Sequence, residues 1–240
     1  MVGAPDAYPG AEHRRPGKSG ITYHVRAGLS AWLQTEAVRA SADLGRYRVL
    51  DVGCGIRPYY PYFAPRVSEY VGVDVDNPAA DLQGSVEALP VEGGAYDLVL
   101  CTQVLEHVGD PDLAVRELHR VTAPGGRVLA STHGVQVYHP APTDYWRWTH
   151  AGLERLFERN GAWSSVTVSP VGGAATCLAA MSAVYADLLF RKAHLEPVAR
   201  ASVWTLNSLG GLVDRAVPSL RAPIPGSLFL NFHVVADKPR

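Results

Sequence analysis

The sequence predicts an α/β fold in which a mostly parallel, seven-stranded sheet carries helices on both faces. Three observations lead to this prediction. Short apolar segments of strand length alternate with helical segments along most of the 240 residues. A glycine-rich turn follows the first of these strands, and a carboxylate, Asp74, ends the second. Open α/β sheets bind ligands at the carboxyl ends of such strands.

The first helix is predicted over residues 21–42, where apolar side chains recur on one face at helical spacing. The stretch before it, residues 1–20, is polar and rich in proline and glycine, so we expect it to be mobile until a ligand binds. Seven strands are then expected, at residues 48–52, 70–74, 81–85, 97–102, 127–132, 163–169 and 228–236.

Two further helices have clear start signals. Asp110 is a good N-cap residue, and Pro111 after it suits the first helical position, where its missing N–H costs nothing. Thr149 is the N-cap of a second helix, which should stop at Gly161.

The turn after the first strand predicts a nucleoside site. Glycines at positions 53 and 55 allow a tight turn and a close approach of the backbone to a ligand. Asp74 lies 21 positions after Gly53, where a carboxylate can accept both ribose hydroxyl hydrogens. A dinucleotide site would have a third glycine where Pro58 stands, so a ligand with a ribose but no diphosphate fits better.

Four motifs in order resemble the class I S-adenosylmethionine-dependent methyltransferases of the small-molecule type. They are the Gly53 turn, the Leu89-Pro90 turn before the fourth strand, Leu105-Glu106-His107 after it, and Pro124-Gly125-Gly126 before the fifth strand. The resemblance implies a Rossmann-like sheet whose last two strands form an antiparallel hairpin at its edge.

The resemblance also implies S-adenosylmethionine as the cofactor. The glycine turn should pass beneath its methionine part and ribose, with Asp51 ordering the turn, and many relatives place an Asp against the adenine where this chain has Ser85. On the first helix, Tyr23 and Arg26 are candidate lid residues, Arg26 for the cofactor carboxylate. The cofactor-binding residues predicted are Asp51, Gly53, Gly55, Asp74, Ser85, Val86, Thr102 and Gln103.

Two histidines are candidates for a catalytic base. His107 follows the fourth strand and His133 follows the fifth, both at the ligand-binding edge of the sheet. Methyl transfer depends mostly on positioning, and a base helps when the acceptor is a hydroxyl. His133 is favoured, because the family draws substrate contacts from the loop after the fifth strand. Asp144 in the same loop is a third catalytic candidate.

The loop over residues 133–149 is predicted to bind the acceptor. Its aromatic faces and directional polar groups suit a sugar ring or a polyhydroxylated aromatic. An equally good interpretation is that Tyr145 and Trp148 anchor the helix that starts at Thr149. The predicted substrate residues are Tyr138, His139, Tyr145, Trp146 and Arg147.

The favoured function is O-methylation of a hydroxyl on a small molecule, with a sugar or glycan preferred. A phenolic natural product, a lipid-linked substrate and a non-catalytic S-adenosylmethionine-binding protein remain alternatives. The segment after the fourth strand, Cys101-Thr102-Gln103-Val104, lacks the Pro-Pro-Tyr of enzymes that methylate amino groups of bases. A divalent metal such as Mg²⁺ also stays open, because histidines and carboxylates can converge at this edge.

Composition fits a single domain over residues 1–240: a lid segment and helix at 1–45, a cofactor-binding core at 46–170, a helical insertion at 171–226 and a final strand at 227–240. The insertion is interpreted as a packed helical hairpin, a homodimer interface or a surface for a lipid-linked substrate. Asp187 interrupts its apolar run, which argues against a transmembrane segment.

Charge and cysteine content limit the partners. A net charge of −1 gives no cationic field for nucleic acid. Three scattered cysteines imply no disulfide framework, and the N-terminus has no signal-peptide pattern, so a cytoplasmic protein is expected.

Overall fold

The computed structural model describes residues 8–140 and 142–240. Within them the chain forms one sheet of seven strands in the order β3-β2-β1-β4-β5-β7-β6, and β7 runs antiparallel to both of its neighbours. This confirms the predicted α/β architecture and the terminal hairpin. The strands are β1 (Tyr47–Val52), β2 (Val67–Asp74), β3 (Leu82–Gln83), β4 (Tyr96–Thr102), β5 (Thr122–His133), β6 (Ser165–Val171) and β7 (Asn231–Asp237).

Helices lie between the strands, and both predicted caps are present. The Asp110 carboxylate accepts a hydrogen bond from the Leu113 N–H, and the Thr149 hydroxyl accepts one from the Gly152 N–H. The helices are α1 (Ala11–Arg14), α2 (Tyr23–Leu44), α3 (Tyr60–Phe63), α4 (Pro111–Val121), α5 (His150–Arg159), α6 (Ala174–Lys192) and α7 (Glu196–Ala216), and a 3₁₀ turn follows at Pro218–Arg221.

The core lies on both faces of the sheet because successive strand residues point to opposite sides. In β1, Val49 packs with the α2 side while Leu50 packs with the α4 and α5 side. In β4, Leu98 likewise packs with the α2 side and Val99 packs with the α4 and α5 side. Two buried layers hold the strand ends in place, and the predicted ligand-binding edge is built on those ends.

The third strand is shorter than predicted. Residues 81–85 were expected to be extended, but β3 contains only Leu82–Gln83. The Asp81 carboxylate accepts a hydrogen bond from the Gly72 N–H of β2 at 2.7 Å and forms an ion pair with Arg57 at 2.8 Å. A side chain therefore takes the place of the backbone ladder there.

The N-terminal segment is docked, which corrects the expectation of a mobile stretch for residues 8–20. Arg14 is buried, and its guanidinium donates hydrogen bonds to the carbonyls of Tyr8, Pro9 and Pro58. The Arg14 carbonyl in turn accepts a hydrogen bond from the Ser30 hydroxyl of α2. Residues 1–7 of the predicted mobile stretch lie outside the described residues.

The insertion forms a helical hairpin of α6 and α7. The Asp214 carboxylate of α7 accepts hydrogen bonds from the N–H groups of Gly173, Ala175 and Thr176 and so caps the start of α6. By length and composition alone, α6 is apolar enough to cross a membrane, with a mean hydropathy of 1.3 over its best window and only 22% of that window buried. The absence of a transmembrane segment therefore stays a prediction.

Candidate active site

A cavity of about 730 Å³ opens at the carboxyl ends of β1, β4 and β5. The start of α2 covers one side of it through Val25, Arg26 and Leu29, and His13 and Val184 reach it from α1 and α6. The predicted lid residue Arg26 is thus in the lining, whereas Tyr23 faces elsewhere. Five predicted cofactor residues line the cavity: Asp51, Gly53, Gly55, Thr102 and Gln103.

The two glycines of the turn are required for different reasons. Both have positive φ, 66° at Gly53 and 46° at Gly55, which disfavours other residues. A Cβ on Gly53 would overlap the Val104 side chain, so packing within the protein explains that glycine. A Cβ on Gly55 would meet open space. The backbone at Gly55 can therefore be approached closely by a ligand, as the prediction for the turn requires.

Asp74 stabilises the glycine turn through hydrogen bonds with the backbone. Its carboxylate accepts hydrogen bonds from the N–H of Gly55 at 3.0 Å, Asp76 at 3.1 Å and Asn77 at 3.2 Å. Asp74 itself is outside the cavity lining. Three backbone donors leave its Oδ2 atom with capacity for one more hydrogen, so one ribose hydroxyl fits better than the two expected.

Asp51 and Gln103 are held by strand neighbours. Asp51 is buried, its Oδ2 accepts the Tyr70 hydroxyl hydrogen at 2.7 Å, and burial raises its pKa to about 6. Gln103 has a φ of 57°, unusual for a residue with a side chain, and its amide donates to the Ser131 hydroxyl at 2.9 Å. Backbone strain of this kind is typical of functional sites.

The predicted adenine contacts lie away from the cavity. Val86 is part of the buried core, and the Ser85 hydroxyl accepts a hydrogen bond from the Glu87 N–H at 3.1 Å. Neither residue lines the cavity. Their role at the adenine stays a prediction, and it requires the ligand to extend past Gly55 along the edge of the sheet.

Three histidines and a glutamate meet in the cavity beyond the ends of β4 and β5. His133 Nε2 lies 3.2 Å from His139 Nε2 and 3.3 Å from Glu106 Oε1. Glu106 is fully buried, and its other oxygen accepts the Thr132 hydroxyl hydrogen at 2.9 Å. The ring of His107 is 5.1 Å from that of His139. All four line the cavity.

Burial favours the neutral form of Glu106, His133 and His107. It raises the pKa of Glu106 to about 7 and lowers the pKa of His133 to about 4. The nearby Arg147 also disfavours a charged His133. Burial lowers the pKa of His107 as well. The shifts favour the neutral imidazole at His107 and His133, which is the protonation state that a general base needs.

The loop after β5 is tied down over this cluster. The Tyr145 and Trp146 N–H groups donate to the Glu106 carbonyl, and the Trp148 N–H donates to the His133 carbonyl. The Trp146 indole N–H donates to the Val108 carbonyl at 2.8 Å. We call residues 143–148 the strap.

The strap changes the interpretation of the predicted substrate residues. His139 lines the cavity, but Tyr138, Tyr145, Trp146 and Arg147 lie outside it. Arg147 donates to both oxygens of Asp144 at 2.5 Å and to the carbonyls of the loop. Arg147 and Asp144 thus hold the loop together, while the roles predicted for Tyr138, Tyr145 and Trp146 at the acceptor stay predictions.

One group of side chains has metal-ligand spacing. Ligand atoms of His107, His139 and Asp144 lie within 4.8 Å of one another. Both Asp144 oxygens are already taken by Arg147, which holds the pKa of that carboxyl well below its usual range. A cation would have to compete with a bidentate guanidinium. The donor set therefore favours hydrogen bonding over metal binding.

Several lining residues were not predicted as site residues. Glu106 stands within the Leu-Glu-His motif, and its place directly before the predicted base candidate His107 was a usable signal. Gln136 and Val137 lie in the predicted loop. His13 and Val184 had no sequence signal, because α1 and α6 reach the cavity only through tertiary packing.

Comparison with known proteins fits this geometry. Residues 19–165, more than half of the chain, match the family described as "Methyltransferase domain". The chain belongs to the S-adenosylmethionine-dependent methyltransferases. Its cofactor is S-adenosylmethionine, and the open face of Gly55 with the cationic Arg26 across the cavity fits that group.

Curated relatives of this methyltransferase match it over part of their length. The ubiquinone biosynthesis O-methyltransferase of Ralstonia nicotianae is 34% identical over 116 residues, 42% of this chain and 49% of the relative. The malonyl-[acyl-carrier protein] O-methyltransferase of Erwinia billingiae is 28% identical over 134 residues, 51% and 53% of the two chains. The chain spans about half the length of these relatives.

A solved structure supports the fold of the methyltransferase. The 1,6-didemethyltoxoflavin-N1-methyltransferase of Burkholderia thailandensis, with its substrate and S-adenosylhomocysteine bound, superposes with a TM-score of 0.52 at 17% identity. The match covers 100% of this chain and 92% of the other. At this identity the likeness shows the fold and not the acceptor.

Proposed function

We propose that the methyltransferase transfers a methyl group to a hydroxyl oxygen of a small molecule. The observation that carries this proposal is a tautomerically fixed histidine in the cofactor cavity. His107 Nδ1 lies 2.9 Å from the Thr143 carbonyl oxygen. A carbonyl can only accept, so Nδ1 carries the hydrogen and Nε2 has the free lone pair.

His107 is a better general base than His133, which the sequence favoured. His133 Nε2 already faces both His139 and Glu106, and its Nδ1 is buried. Neither nitrogen is open to an acceptor hydroxyl. His133 and Glu106 then act as positioning residues that fix His139, whose ring contacts that of His107.

The residues divide the work of the reaction between the two ends of the cavity. Bound S-adenosylmethionine supplies an electrophilic methyl group, so the protein contributes mainly by positioning the reactants. The Gly53–Gly55 turn and Arg26 hold one end. At the other end, His107 Nε2 accepts the hydroxyl proton as the oxygen becomes nucleophilic. The strap orients His107 through the Thr143 carbonyl.

The acceptor that fits best carries its hydroxyl on a largely apolar body, such as a phenol. Ile21, Val25, Leu29, Val137 and Val184 all line the cavity. Two of the relatives are named O-methyltransferases, one of ubiquinone biosynthesis. A sugar hydroxyl stays the second candidate, because Gln136 and His139 in the lining offer polar contacts.

The decisive experiment compares histidine variants in a methyl-transfer assay. With a phenolic acceptor, His107→Ala should lower kcat by about 10²- to 10⁴-fold and leave the cofactor Kd unchanged. His133→Ala should lower kcat less, and kcat should partly return in His133→Gln. A larger loss in His133→Ala than in His107→Ala would return the base role to His133.

The pH profile checks the same assignment. Because the pKa of His107 is lowered, kcat should rise with pH through a pKa below the usual 6.5 and then level off. The His107→Ala variant should lose that acid limb. Activity that requires Mg²⁺ and stops with a chelator would overturn base catalysis by free imidazole and make His107, His139 and Asp144 ligands.

An acceptor screen separates the remaining alternatives. Labelled S-adenosylmethionine is incubated with phenols, sugars, lipid-linked glycans and amines. Transfer to phenols supports the proposal, and transfer to sugars alone supports the acceptor predicted from the sequence. Tight cofactor binding with no transfer to any class would favour a non-catalytic binding protein. A cytoplasmic location remains a prediction for cell fractionation.

A further inference from the structure

A second cavity, of about 420 Å³, lies on the other side of α2. Its walls are the start of α2, the end of β6 with the turn into α6, and the middle of α7. We call it the α2–α7 cleft. No described residue lines both this cleft and the active-site cavity. Its volume is in the range of small-molecule sites.

The charge of the cleft is positive. Lys18, Arg215 and Arg221 line it, and the carboxylate of Asp214 stands among them. Asp214 is buried and already accepts three backbone N–H hydrogens at the start of α6. Among the described residues, none of the three cations forms an ion pair, and Lys18 instead lies 5.9 Å from the ring of Trp204. The cleft therefore attracts an anion.

Buried polar groups in the same walls have unused hydrogen-bonding capacity. Asn207 is 1% exposed, and its amide nitrogen donates to the carbonyls of Lys18 and Gly20. Those two bonds fix the orientation of the amide. Within the described part of the chain, Asn207 Oδ1, Ser208 Oγ and His233 Nε2 have no partner. Buried polar groups without a partner destabilise the folded protein, so a ligand that pairs with them gains binding energy.

A stacked pair forms the inner wall. The ring of His233 lies parallel to that of Trp32 with 4.2 Å between centroids. Burial lowers the pKa of His233 to about 3, so its ring is neutral and can donate or accept one hydrogen bond. The cleft thus combines a cationic rim, a polar wall and an aromatic wall.

We propose that the α2–α7 cleft is a second binding site, for a small organic anion. A phosphate or carboxylate group of that ligand binds Arg215, Arg221 and Lys18. A hydroxyl or amino donor on the same ligand satisfies Asn207 Oδ1. This ligand is distinct from the methyl donor and from the acceptor, both of which the proposed function assigns to the active-site cavity.

Binding of inorganic phosphate tests the site by titration calorimetry, with S-adenosylhomocysteine present to fill the active-site cavity. We expect one saturable site with a Kd of about 1 mM. The double variant Arg215→Gln, Arg221→Gln should weaken it at least about tenfold, since it removes two charge-assisted contacts. Arg159→Gln is the matched control, because Arg159 pairs with Asp112 on a distant surface.

A glycine series tests the location without changing charge. A Cβ on Gly211 would lie 3.5 Å from His24 and 3.9 Å from Arg215, so alanine fits and a larger side chain fills the cleft. Gly211→Ala should keep phosphate binding and raise the Tm slightly. Gly211→Leu should abolish binding while the circular dichroism spectrum stays native. Binding unchanged in both Gly211→Leu and the arginine double variant would overturn the proposal, as would no saturable binding to the wild type.

The source of the anion is resolved by a competition experiment. Vesicles of phosphatidylcholine with and without phosphatidylglycerol are sedimented with the protein, with or without phosphate. Vesicle binding that needs phosphatidylglycerol, depends on Arg215 and Arg221 and is displaced by phosphate identifies a lipid headgroup. Phosphate binding without vesicle binding identifies a soluble anion. If phosphate does not displace the vesicles, the lipid contact lies outside the cleft. That result would contradict the proposed site.

Discussion

At the scale of single residues, burial sets the charge of the groups around the cofactor. Glu106 and Asp51 are both buried, and the pKa of each is raised, to about 7 and about 6. Burial lowers the pKa of His133 instead, to about 4. All three shifts favour the neutral form. The charge of each of these groups is therefore disfavoured by its own burial.

Glu106 should make stability depend on pH. Its folded pKa of about 7 exceeds its usual value of 4.5, so the folded state binds more protons between those values and unfolding free energy falls as pH rises. Glu106→Gln should remove this loss and gain about 2 kcal/mol relative to the wild type at pH 8, but little at pH 5. Denaturant unfolding at both pH values measures it. An equal change in unfolding free energy at pH 5 and pH 8 would show that Glu106 does not titrate between these pH values.

His133 contributes with the opposite sign. Its folded pKa of about 4 lies below the usual 6.5, so the unfolded state binds more protons between those values. Its contribution to unfolding free energy therefore rises with pH up to about 6.5. Comparing pH 5 with pH 8 in His133→Ala separates this contribution from that of Glu106.

Asp74 is the residue on which the cofactor end depends. Asp74→Ala should weaken S-adenosylmethionine binding at least about tenfold, because it removes a ribose acceptor and the carboxylate that holds Gly55. Asp76→Ala is the matched control, since Asp76 is exposed and only its N–H takes part in the turn. Calorimetric affinity that is equal in the two variants would contradict the ribose assignment.

Residue identities were predictable where chain spacing sets the geometry. The glycine turn and Asp74 stand at the ends of adjacent strands, so spacing alone brought them together. The proposed ranking of His107 ahead of His133 was not predictable. It depends on which nitrogen meets the Thr143 carbonyl, a contact between residues 36 positions apart.

At the scale of elements, the strap is the distinctive unit. Its backbone bonds to the Glu106 and His133 carbonyls join the ends of β4 and β5. The Trp146 and Trp148 rings stack at 5.6 Å, and Trp148 packs on the core. This arrangement holds the histidine cluster in place before any acceptor arrives.

Substitutions in the loop should separate structure from binding. Trp146→Ala should lower unfolding free energy by about 1–3 kcal/mol, since it removes the bond to Val108 and the stacked ring. Tyr138→Ala should leave stability unchanged because Tyr138 is 70% exposed. A raised acceptor KM in Tyr138→Ala would show that the acceptor extends beyond the cavity. A KM equal to that of the wild type would show that the acceptor stays within the cavity.

Helices and strands with strong local signals were predicted closely. Both caps and the α4 and α5 starts agree with the sequence. The third strand was wrong in length because Asp81 uses its side chain where the prediction assumed a backbone bond. The alternation of apolar and polar residues along the sequence does not show where a side chain replaces a backbone hydrogen bond between strands.

At the scale of the whole molecule, the hairpin of α6 and α7 leaves a large apolar surface uncovered. Leu188 and Leu189 on α6 and Trp204, Leu209 and Leu212 on α7 are each more than half exposed. Exposed apolar patches of this kind mark association surfaces. The homodimer considered from the sequence therefore remains our prediction for this surface.

Light scattering after size-exclusion chromatography tests the homodimer. The wild type should elute as a dimer, and Leu188→Glu with Leu212→Glu should give a monomer with native circular dichroism. Val38→Glu is the control, because Val38 is 68% exposed on α2, outside the hairpin. A monomeric wild type that binds vesicles would assign the surface to a membrane instead.

The buried Arg14 has a kinetic consequence. Its guanidinium fastens the N-terminal segment to Pro58, which lines the cavity beside the glycine turn. We expect S-adenosylhomocysteine to leave only when this contact opens, so its residence time should limit turnover. In stopped-flow displacement, Arg14→Gln should speed dissociation several-fold and leave the bound complex chemically competent. Slow release would make this methyltransferase prone to inhibition by S-adenosylhomocysteine, its own by-product.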